Sequence, residues 1–399
     1  MRSLTLYGVL VSLGLMLVTF NANAVPSFAR KYSTECSSCH TAYPQLNRAG
    51  RQFKEAGYRF PELKGEKTIS DFLHIDKYFP VSAAIIGRPY DKKDSGEEKL
   101  RAIHEIELFV AGVMYKNVSG FFELEAEDEG TNDFGFDIGI PHAVLTYNHS
   151  LALNVDLAWG DILANDPYDT YTAARRLTRS TQRVWDISFG GADNGGALKD
   201  SRQTVAVHGR PIGQLYYSVG ISGLADDSEG VNPRVFHGRL AYDVTPDIMI
   251  GALVINGECK SSSGSSACEE PPVGPGVDRD FMRYGFDTQI DIANFRVMGA
   301  YLTTEDRNTT DTSDLENDAW YLQGQYVFRS GGRPTWVPLV RFDIYETNDG
   351  QDDFSEVVLN LGYYFTENIK GYVEYWDQVD VPSNVDDDDR LTLQLQATF

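Results

Sequence analysis

Beyond its first 24 residues, this sequence of 399 residues lacks any apolar run long enough to form a membrane helix. It also lacks a Ser/His/Asp arrangement with a local signature, a phosphate-cradling glycine loop and a zinc-type spacing of cysteines and histidines. These absences give no indication of a hydrolytic or group-transfer site, and we assign no catalytic residue. The sequence therefore leaves open whether the protein is an enzyme.

The N-terminus has the pattern of an export signal. Arg2 precedes a mostly apolar stretch from Leu4 to Phe20, and residues 21–24 end in the small-x-small pattern of a cleavage site. We expect residues 1–24 to be a signal peptide and the mature chain to begin at Val25, outside the cytoplasm.

The chain is acidic, with a formal net charge of −23. Residues 25–75 are an exception, because they hold eight Lys/Arg and five Asp/Glu. A strongly acidic body argues against a nucleic-acid partner and favours cations.

Cys36-Ser37-Ser38-Cys39-His40 is a C-x-x-C-H motif, the attachment sequence of a c-type haem. In such a motif the two thiols bond to the haem vinyl groups and the imidazole binds the iron. A bare C-x-x-C is ambiguous between zinc, redox chemistry and chance, but the histidine and the export signal favour haem. The motif occurs once, so we expect one haem c, held by Cys36 and Cys39 with His40 as an axial ligand.

The second axial ligand is less clearly indicated. No methionine lies between the motif and Met114, so a nearby methionine ligand is not expected. His74 is the only other histidine before the strands begin and is our first candidate. The alternatives are five-coordinate iron or a barrel histidine, either His142 or His208, which have lumen-facing parity. His104 has lipid-facing parity.

Residues 25–75 read as a small α-helical head. Leu46, Ala49, Phe53 and Ala56 recur with helical spacing, and Gly57 is a plausible helix end. About fifty residues cannot bury much core alone. The haem and the rest of the chain must therefore supply apolar contact.

From about Phe79 onward, apolar and polar residues alternate. The clearest case is Leu391 to Phe399, which ends the chain on a phenylalanine. We count about sixteen such strands, with short turns alternating with long polar loops. This pattern predicts a transmembrane antiparallel β-barrel in the bacterial outer membrane, in contact with its lipid. A water-soluble β-sandwich is the alternative. The long loops are 128–137, 161–202, 225–233, 257–280, 305–316 and 379–389.

The third loop, 161–202, is rich in arginine. In a barrel of this size the third loop often folds inward and narrows the channel. We assign Val184–Phe189 to this loop rather than to a strand of its own. The arginines are Arg175, Arg176, Arg179 and Arg183.

Five glutamates on the second and third predicted strands have the parity opposite to the apolar residues, so we expect them to face the lumen. They form a candidate path for a metal cation such as Fe(II), a hard acid that suits carboxylates. An ordinary polar pore lining is the other interpretation. These residues are Glu105, Glu107, Glu123, Glu125 and Glu127.

The remaining cysteines, Cys259 and Cys268, flank a Ser/Gly-rich loop. In an oxidising compartment they are expected to form a disulfide. A metal-binding pair is the alternative, but no further ligand lies nearby in the sequence.

Residues 28–58 resemble the head of the fused monohaem cytochrome–porins, outer-membrane proteins best known from iron-oxidising bacteria. The resemblance implies the haem-attachment roles of Cys36, Cys39 and His40, and no barrel residue carries over. It implies acceptance of electrons from extracellular Fe(II) or another donor, and their transfer to a periplasmic cytochrome or other carrier. It rests on Phe28-Ala29-Arg30-Lys31-Tyr32, the C-x-x-C-H motif, Pro44-x-Leu46, Gly50-Arg51-x-Phe53-Lys54 and Gly57-Tyr58.

Together these patterns predict a mainly β protein with a signal peptide (1–24), a monohaem cytochrome c domain (25–75) and a porin-like barrel (76–399). The head is expected on the periplasmic side or as a plug in the barrel lumen. The expected function is iron-oxidase-like electron transfer across the outer membrane. The alternatives are an acidic, cation-favouring porin whose haem serves another donor or a structural role, and a secreted soluble haem protein with an all-β domain.

Overall fold

The computed structural model describes residues 27–60, 80–128, 135–186, 195–226, 228–230, 235–260, 278–307, 314–347 and 349–399. The helices are α1 (Ser27–Tyr32), α2 (Arg48–Glu55) and α3 (Arg183–Asp186), and a 3₁₀ turn spans Cys36–Ser38. The strands are β1 (His40–Ala42), β2 (Gln45–Leu46), β3 (Val81–Lys93), β4 (Lys99–Tyr115), β5 (Val118–Glu127), β6 (Asp137–Gly139), β7 (Ala143–Ser150), β8 (Leu153–Gly160), β9 (Arg202–Ile212), β10 (Leu215–Ser222), β11 (Val235–Thr245), β12 (Ile248–Lys260), β13 (Asp278–Ile292), β14 (Phe295–Arg307), β15 (Asp314–Tyr326), β16 (Arg329–Ser330), β17 (Arg333–Pro334), β18 (Trp336–Thr347), β19 (Asp352–Tyr364), β20 (Ile369–Asp380) and β21 (Asp389–Thr398).

Sixteen antiparallel strands close into a barrel, in which β6 and β7 together form one interrupted strand against β5. Each barrel strand pairs with the next barrel strand in the chain, so that β15 pairs with β18. β21 closes the barrel by pairing with β3. The predicted strand number is confirmed. The small pairs β1–β2 and β16–β17 lie outside this sheet.

The alternation read from the sequence sorts side chains between the two faces of the barrel wall. On β21, Leu391, Leu393 and Leu395 are exposed, whereas Thr392 and Gln394 are buried. A water-soluble protein would bury the leucines, because burial of apolar surface drives folding in water. An apolar outer face with a polar interior is the arrangement of a transmembrane barrel.

The two ends of the barrel differ. One end, here called the turn end, carries short connections such as 116–117 and 213–214. The opposite end, here called the loop end, carries the long connections. Exposed aromatic rings surround the turn end, as expected for a girdle at a membrane interface. They include Phe295, Phe328, Trp336, Phe365 and Phe399.

The described part of the predicted head, residues 27–60, lies inside the barrel at the turn end; we call it the N-terminal segment. Its backbone is tied to the wall: Tyr364 Oη donates to Tyr43 O over 2.6 Å and Arg296 Nη2 donates to Leu46 O over 2.8 Å. The helix expected from Leu46 begins instead at Arg48, because Leu46 pairs with His40 in the β1–β2 ladder.

The third loop folds into the lumen, as predicted. Tyr168, Thr170 and Tyr171 are almost completely buried, and Tyr321 Oη donates to Thr170 O over 2.7 Å. Residues 184–186 belong to α3 and not to a strand, which confirms that part of the assignment; residues 187–189 lie outside the described residues.

Among the described residues, no helix has both the length and the apolar composition to cross a membrane. The predicted signal peptide, the domain boundary near residue 75, His74 and Cys268 all lie outside the described residues, and so does the side chain of Cys259. The expected disulfide and the first choice of second axial ligand therefore stay predictions.

Candidate functional site

The C-x-x-C-H motif begins in a 3₁₀ turn that brings its cysteines to one side. The N–H of Cys39 donates to Cys36 O over 3.1 Å, and side chains three residues apart in such a turn are eclipsed. Both cysteines line one lumen cavity, and neither is in a disulfide. Burial raises the pKa of Cys36 to about 12 and also raises the pKa of Cys39. Both are therefore protonated thiols at neutral pH.

His40 lines the same cavity and is oriented by the backbone. Its Nδ1 lies 2.9 Å from Pro44 O. Because a carbonyl oxygen only accepts, Nδ1 carries the proton and Nε2 keeps its lone pair. Burial lowers the pKa of His40 to about 4, so the ring is neutral at neutral pH. A neutral imidazole whose other nitrogen donates to a carbonyl is the usual state of a metal-ligating histidine.

The cavity has a volume of about 430 Å³, within the range of roughly 300–1,000 Å³ typical of cofactor sites. Aromatic rings form part of its wall: Phe28 contacts Phe53 edge-on with 4.9 Å between centroids and stacks on Tyr58 at 5.6 Å. Tyr58 in turn lies 6.0 Å from the Phe121 ring of β5. A flat apolar group matches this wall, so the residues present fit the haem that the motif predicts.

Helix α2 packs directly on the motif, and Gly50 allows this approach. A Cβ at Gly50 would lie 2.1 Å from Cys39 O and 2.9 Å from a methyl carbon of Leu46, both too short for a real contact. Asn47 caps the helix by accepting from Gly50 N–H at 3.0 Å, and its amide donates to Ser38 O at 3.1 Å. Motif and helix therefore form one packed unit.

The five predicted glutamates all line the cavity, so their lumen-facing parity is confirmed. Glu105 lies opposite Glu127 and Glu107 opposite Glu125, while Glu123 lies opposite Phe109. We call these five residues the glutamate ladder. With a rise of about 3.4 Å per residue, its length along β5 from Glu123 to Glu127 is roughly 14 Å. The ladder leads from the aromatic wall toward the loop end.

The arginines of the third loop lie in the lumen, and three of the four pair with carboxylates. Arg175, Arg176 and Arg179 line the cavity with the ladder. Arg175 pairs with Asp169 at 2.6 Å, Arg179 with Asp91 at 3.0 Å and Arg183 with Glu356 at 2.6 Å. Arg176 donates to Ala173 O within its own turn. The pairs of Arg179 and Arg183 reach β3 and β19 and hold the loop in the lumen, whereas the Arg175–Asp169 pair lies within the loop.

Two further histidines face inward, as their parity predicted. His142 lines the cavity, and its ring nitrogens lie 3.1 Å from Glu123 and 3.1 Å from Asp161. His208 is buried outside the cavity lining, with Nε2 3.0 Å from Asp156. Both are therefore engaged with carboxylates.

The lipid-facing assignment of His104 is wrong. His104 is 2% exposed, and its Nδ1 lies 2.9 Å from Asp128. The cause is a bulge in β4. Ile86 of β3 pairs with Glu105, and Arg88, two residues later on β3, pairs with Arg101. β4 therefore spans four residues where β3 spans two. The extra residues break the alternation and turn both His104 and Glu105 inward.

Sequence reasoning missed the wall residues that hold the N-terminal segment. Arg210 donates to both Glu55 carboxylate oxygens, at 2.5 and 2.9 Å. Lys54 Nζ donates to the carbonyls of Ala164 and Asp166 in the third loop. These partners lie more than 100 residues apart in sequence, and a single sequence gives no signal for such pairs.

A second, more open hollow of about 920 Å³ is lined mostly by apolar side chains of β4–β10. Several of them, such as Leu145, Leu157 and Val205, are on the outer face of the barrel. It contains none of the candidate residues, and its size reflects the curved lipid-facing surface.

Comparison with protein-family models gives no match, and neither does comparison with curated protein sequences. Solved structures do match. OmpF of Salmonella typhi, in a complex with daunomycin, is 15% identical, with a TM-score of 0.56 over 80% of this chain and 97% of that one. The anion-selective porin of Comamonas acidovorans is 10% identical, with a TM-score of 0.57 over 80% and 98%. OmpT of Vibrio cholerae, in its trimer form, is 12% identical, with a TM-score of 0.56 over 80% and 98%. At these identities the likeness establishes the fold, a porin-like β-barrel.

Proposed function

We propose that this chain is an outer-membrane electron-transfer protein that carries one covalent c-type haem in its lumen. It would accept electrons from a donor outside the cell and pass them to a periplasmic cytochrome or other carrier. The observation that carries this proposal is the convergence of Cys36, Cys39 and His40 with the glutamate ladder on one cavity inside a closed barrel. The family resemblance supplies Fe(II) as the donor.

The residues of the motif have distinct roles in this proposal. Cys36 and Cys39 would hold the haem edge, and His40 Nε2 would be an axial ligand. When bound, the haem supplies a one-electron couple whose potential depends on its ligands, burial and nearby charge. His74 stays the first candidate for the second ligand, and His142 is the described barrel histidine that shares the cavity with His40.

The glutamate ladder places carboxyl groups along one side of the lumen, and those that are ionised give it a negative field. Such a field concentrates cations near the surface that carries it. Carboxylate oxygens suit a hard divalent cation such as Fe(II). The ladder would therefore guide the donor from the loop end toward the cavity.

The porin alternative agrees with the fold, but the filled lumen favours the electron-transfer protein, which we call the conduit. Four arginines that project inward, Arg239, Arg283, Arg296 and Arg341, are at most 1% exposed. In an open aqueous channel such side chains would be solvated. Here the N-terminal segment and the third loop cover the inner wall.

The deciding experiment is anaerobic stopped-flow spectroscopy of the oxidised full-length protein in detergent. We expect Fe(II) to produce the reduced c-haem bands. We expect Glu123→Gln to slow the reduction, whereas Glu97→Gln, in the exposed turn after β3, should leave the rate unchanged. A haem that dithionite reduces and Fe(II) does not would reject iron as donor. Absence of covalent haem would reject the proposal as a whole.

A further inference from the structure

The loop end of the glutamate ladder contains a nitrogen ligand that the sequence pattern concealed. One nitrogen of His104 and one carboxylate oxygen each from Glu105 and Glu127 all lie within 4.8 Å of one another. His104 Nε2 and Glu105 Oε2 are 3.7 Å apart. Two ligands bound about 2.1 Å from one ion lie roughly 3.0–4.2 Å apart, so small side-chain rotations would bring all three onto a metal.

We propose that His104, Glu105 and Glu127 form a binding site for a divalent metal cation at the loop end of the ladder. An imidazole with two carboxylates suits Fe(II), Mn(II) or Zn(II) better than Ca²⁺ or Mg²⁺, which prefer oxygen ligands alone. The inference rests on the proposed function only for the identity of the natural metal, Fe(II).

The state of His104 supports the site independently of the carboxylates. The side chain is 2% exposed, and Nδ1 is 2.9 Å from Asp128 Oδ1. Because that carboxylate accepts, the proton lies on Nδ1 and the lone pair of Nε2 points toward Glu105. Within the described part of the chain Nε2 makes no hydrogen bond. A histidine oriented by a carboxylate on its far nitrogen is the arrangement found behind most metal ligands.

Backbone geometry supports the same conclusion. The bulge in β4 turns inward a histidine that regular alternation would place toward lipid. Gly87 allows the two strands to approach there, since a Cβ on it would lie 2.5 Å from Ala102 O. Bulges commonly re-aim a side chain beside a functional site.

The charges around the site leave the carboxylates available. Arg101 pairs with Asp128 and Asp91, and Arg88 Nε donates to Gln394 at 2.9 Å. Within the described ranges, no lysine or arginine lies within ion-pair distance of Glu105 or Glu127, and Arg88 interacts with Glu105 only electrostatically from beyond that distance. Two adjacent carboxylates without an ion-pair partner favour a bound cation.

The test uses Mn(II), which is paramagnetic and does not reduce the haem, with the full-length haem-containing protein in detergent. We expect one bound Mn(II) whose pulsed EPR shows modulation from a directly bound ¹⁴N. His104→Ala should abolish that modulation, and Glu127→Gln should raise the dissociation constant at least tenfold. Asp128→Asn, which replaces the orienting carboxylate by a neutral and weaker acceptor, should raise it roughly 10–100-fold.

The matched control is His149→Ala, because His149 is an exposed histidine near the turn end of β7. It should leave both the modulation and the affinity unchanged. Heat-modified gel migration establishes that each variant is folded; if His104→Ala does not fold, Glu127→Gln and Asp128→Asn decide. No ¹⁴N modulation in the parent protein, its persistence in His104→Ala, or unchanged affinity in Glu127→Gln would overturn the site.

The experiments distinguish failure of the metal site from failure of the proposed electron-transfer function. Nitrogen-ligated Mn(II) together with a haem that Fe(II) cannot reduce would leave the metal site standing and reject the iron conduit. Fe(II)-dependent reduction without nitrogen-ligated Mn(II) would leave the conduit standing and reject the site.

Discussion

Replacement of Arg296 by methionine should release the N-terminal segment from the barrel wall. Arg296 lies at the turn end of β14 and is fully buried. Its Nη2 donates to Thr41 Oγ1 at 2.9 Å and to Leu46 O at 2.8 Å, and its Nε donates to Asp291 at 2.6 Å. A single guanidinium thus links two residues of the segment to an acidic residue of the wall.

The size of the effect follows from what the substitution removes between segment and wall. The Arg296–Asp291 pair joins β14 to β13, so it is present whether or not the segment is docked. What docking gains from Arg296 is its hydrogen bonds to Thr41 and Leu46, and a hydrogen bond from a charged group contributes about 1.5–3 kcal/mol. Taking the lower value for each bond, we expect a loss of about 3 kcal/mol, which corresponds to roughly 150-fold in the equilibrium for local opening.

Hydrogen exchange of the α2 amides measures that opening. The N–H of Arg51 donates to Asn47 O and the N–H of Ala56 to Gln52 O. An eight-residue helix is not stable alone in water, so these amides are protected only while the segment is docked. In Arg296→Met they should exchange roughly 150-fold faster than in the parent protein.

Arg239→Met is the matched control. Arg239 is equally buried and pairs with Asp166 and Asp287, and none of its hydrogen bonds within the described residues reaches the N-terminal segment. Exchange of α2 should be unchanged there. Acceleration below tenfold in Arg296→Met, or equal acceleration in both variants, would refute the role assigned to Arg296.

Three further predictions concern the same segment. Gly50→Ala should reduce the yield of covalent haem in haem-stained gels, because its Cβ would collide with Cys39 O; normal yield would contradict the tight packing of α2 on the motif. Burial lowers the pKa of Lys54 to about 7, so the released segment binds more protons than the docked one between pH 7 and about 10. Docking should strengthen as pH rises through that window, and α2 protection, corrected for intrinsic exchange, should lose this dependence in Lys54→Met. Deleting residues 25–75 should raise single-channel conductance several-fold, since sixteen-stranded barrels otherwise leave an aqueous channel; unchanged conductance would count against a plug.

Much of the fold could be predicted from the sequence because alternation reports both faces of each strand. The residues from Leu391 to Phe399 are one example. The inward fold of the third loop follows instead from the size of the predicted barrel. The bulge in β4 could not be predicted, since neither Gly87 nor the run from Ala102 to Glu105 carries a distinctive signal. Alternation alone therefore places His104 on the wrong face.

The candidate site likewise contains residues that the sequence predicts and contacts that it does not. The motif and the glutamate parity are local patterns, so Cys36, Cys39, His40 and the glutamate ladder could be named in advance. The partners of His142, by contrast, come from β5 and from the start of the third loop. Such contacts depend on how distant strands meet, and one sequence without relatives does not encode them in a readable way.

The closure of the barrel constrains the order in which the protein is made. The first and last barrel strands, β3 and β21, pair to complete the wall, and the N-terminal segment is hydrogen-bonded to the start of β3 through Ser27 and Ser82. If the motif holds a haem, attachment to Cys36 and Cys39 must precede this closure, because the closed wall then surrounds the motif and keeps an attachment enzyme from it. Biogenesis would then run in one direction, with the cofactor joined to an exported but unfolded chain and the membrane-inserted barrel formed around it. A barrel inserted without haem would be a dead end rather than an intermediate.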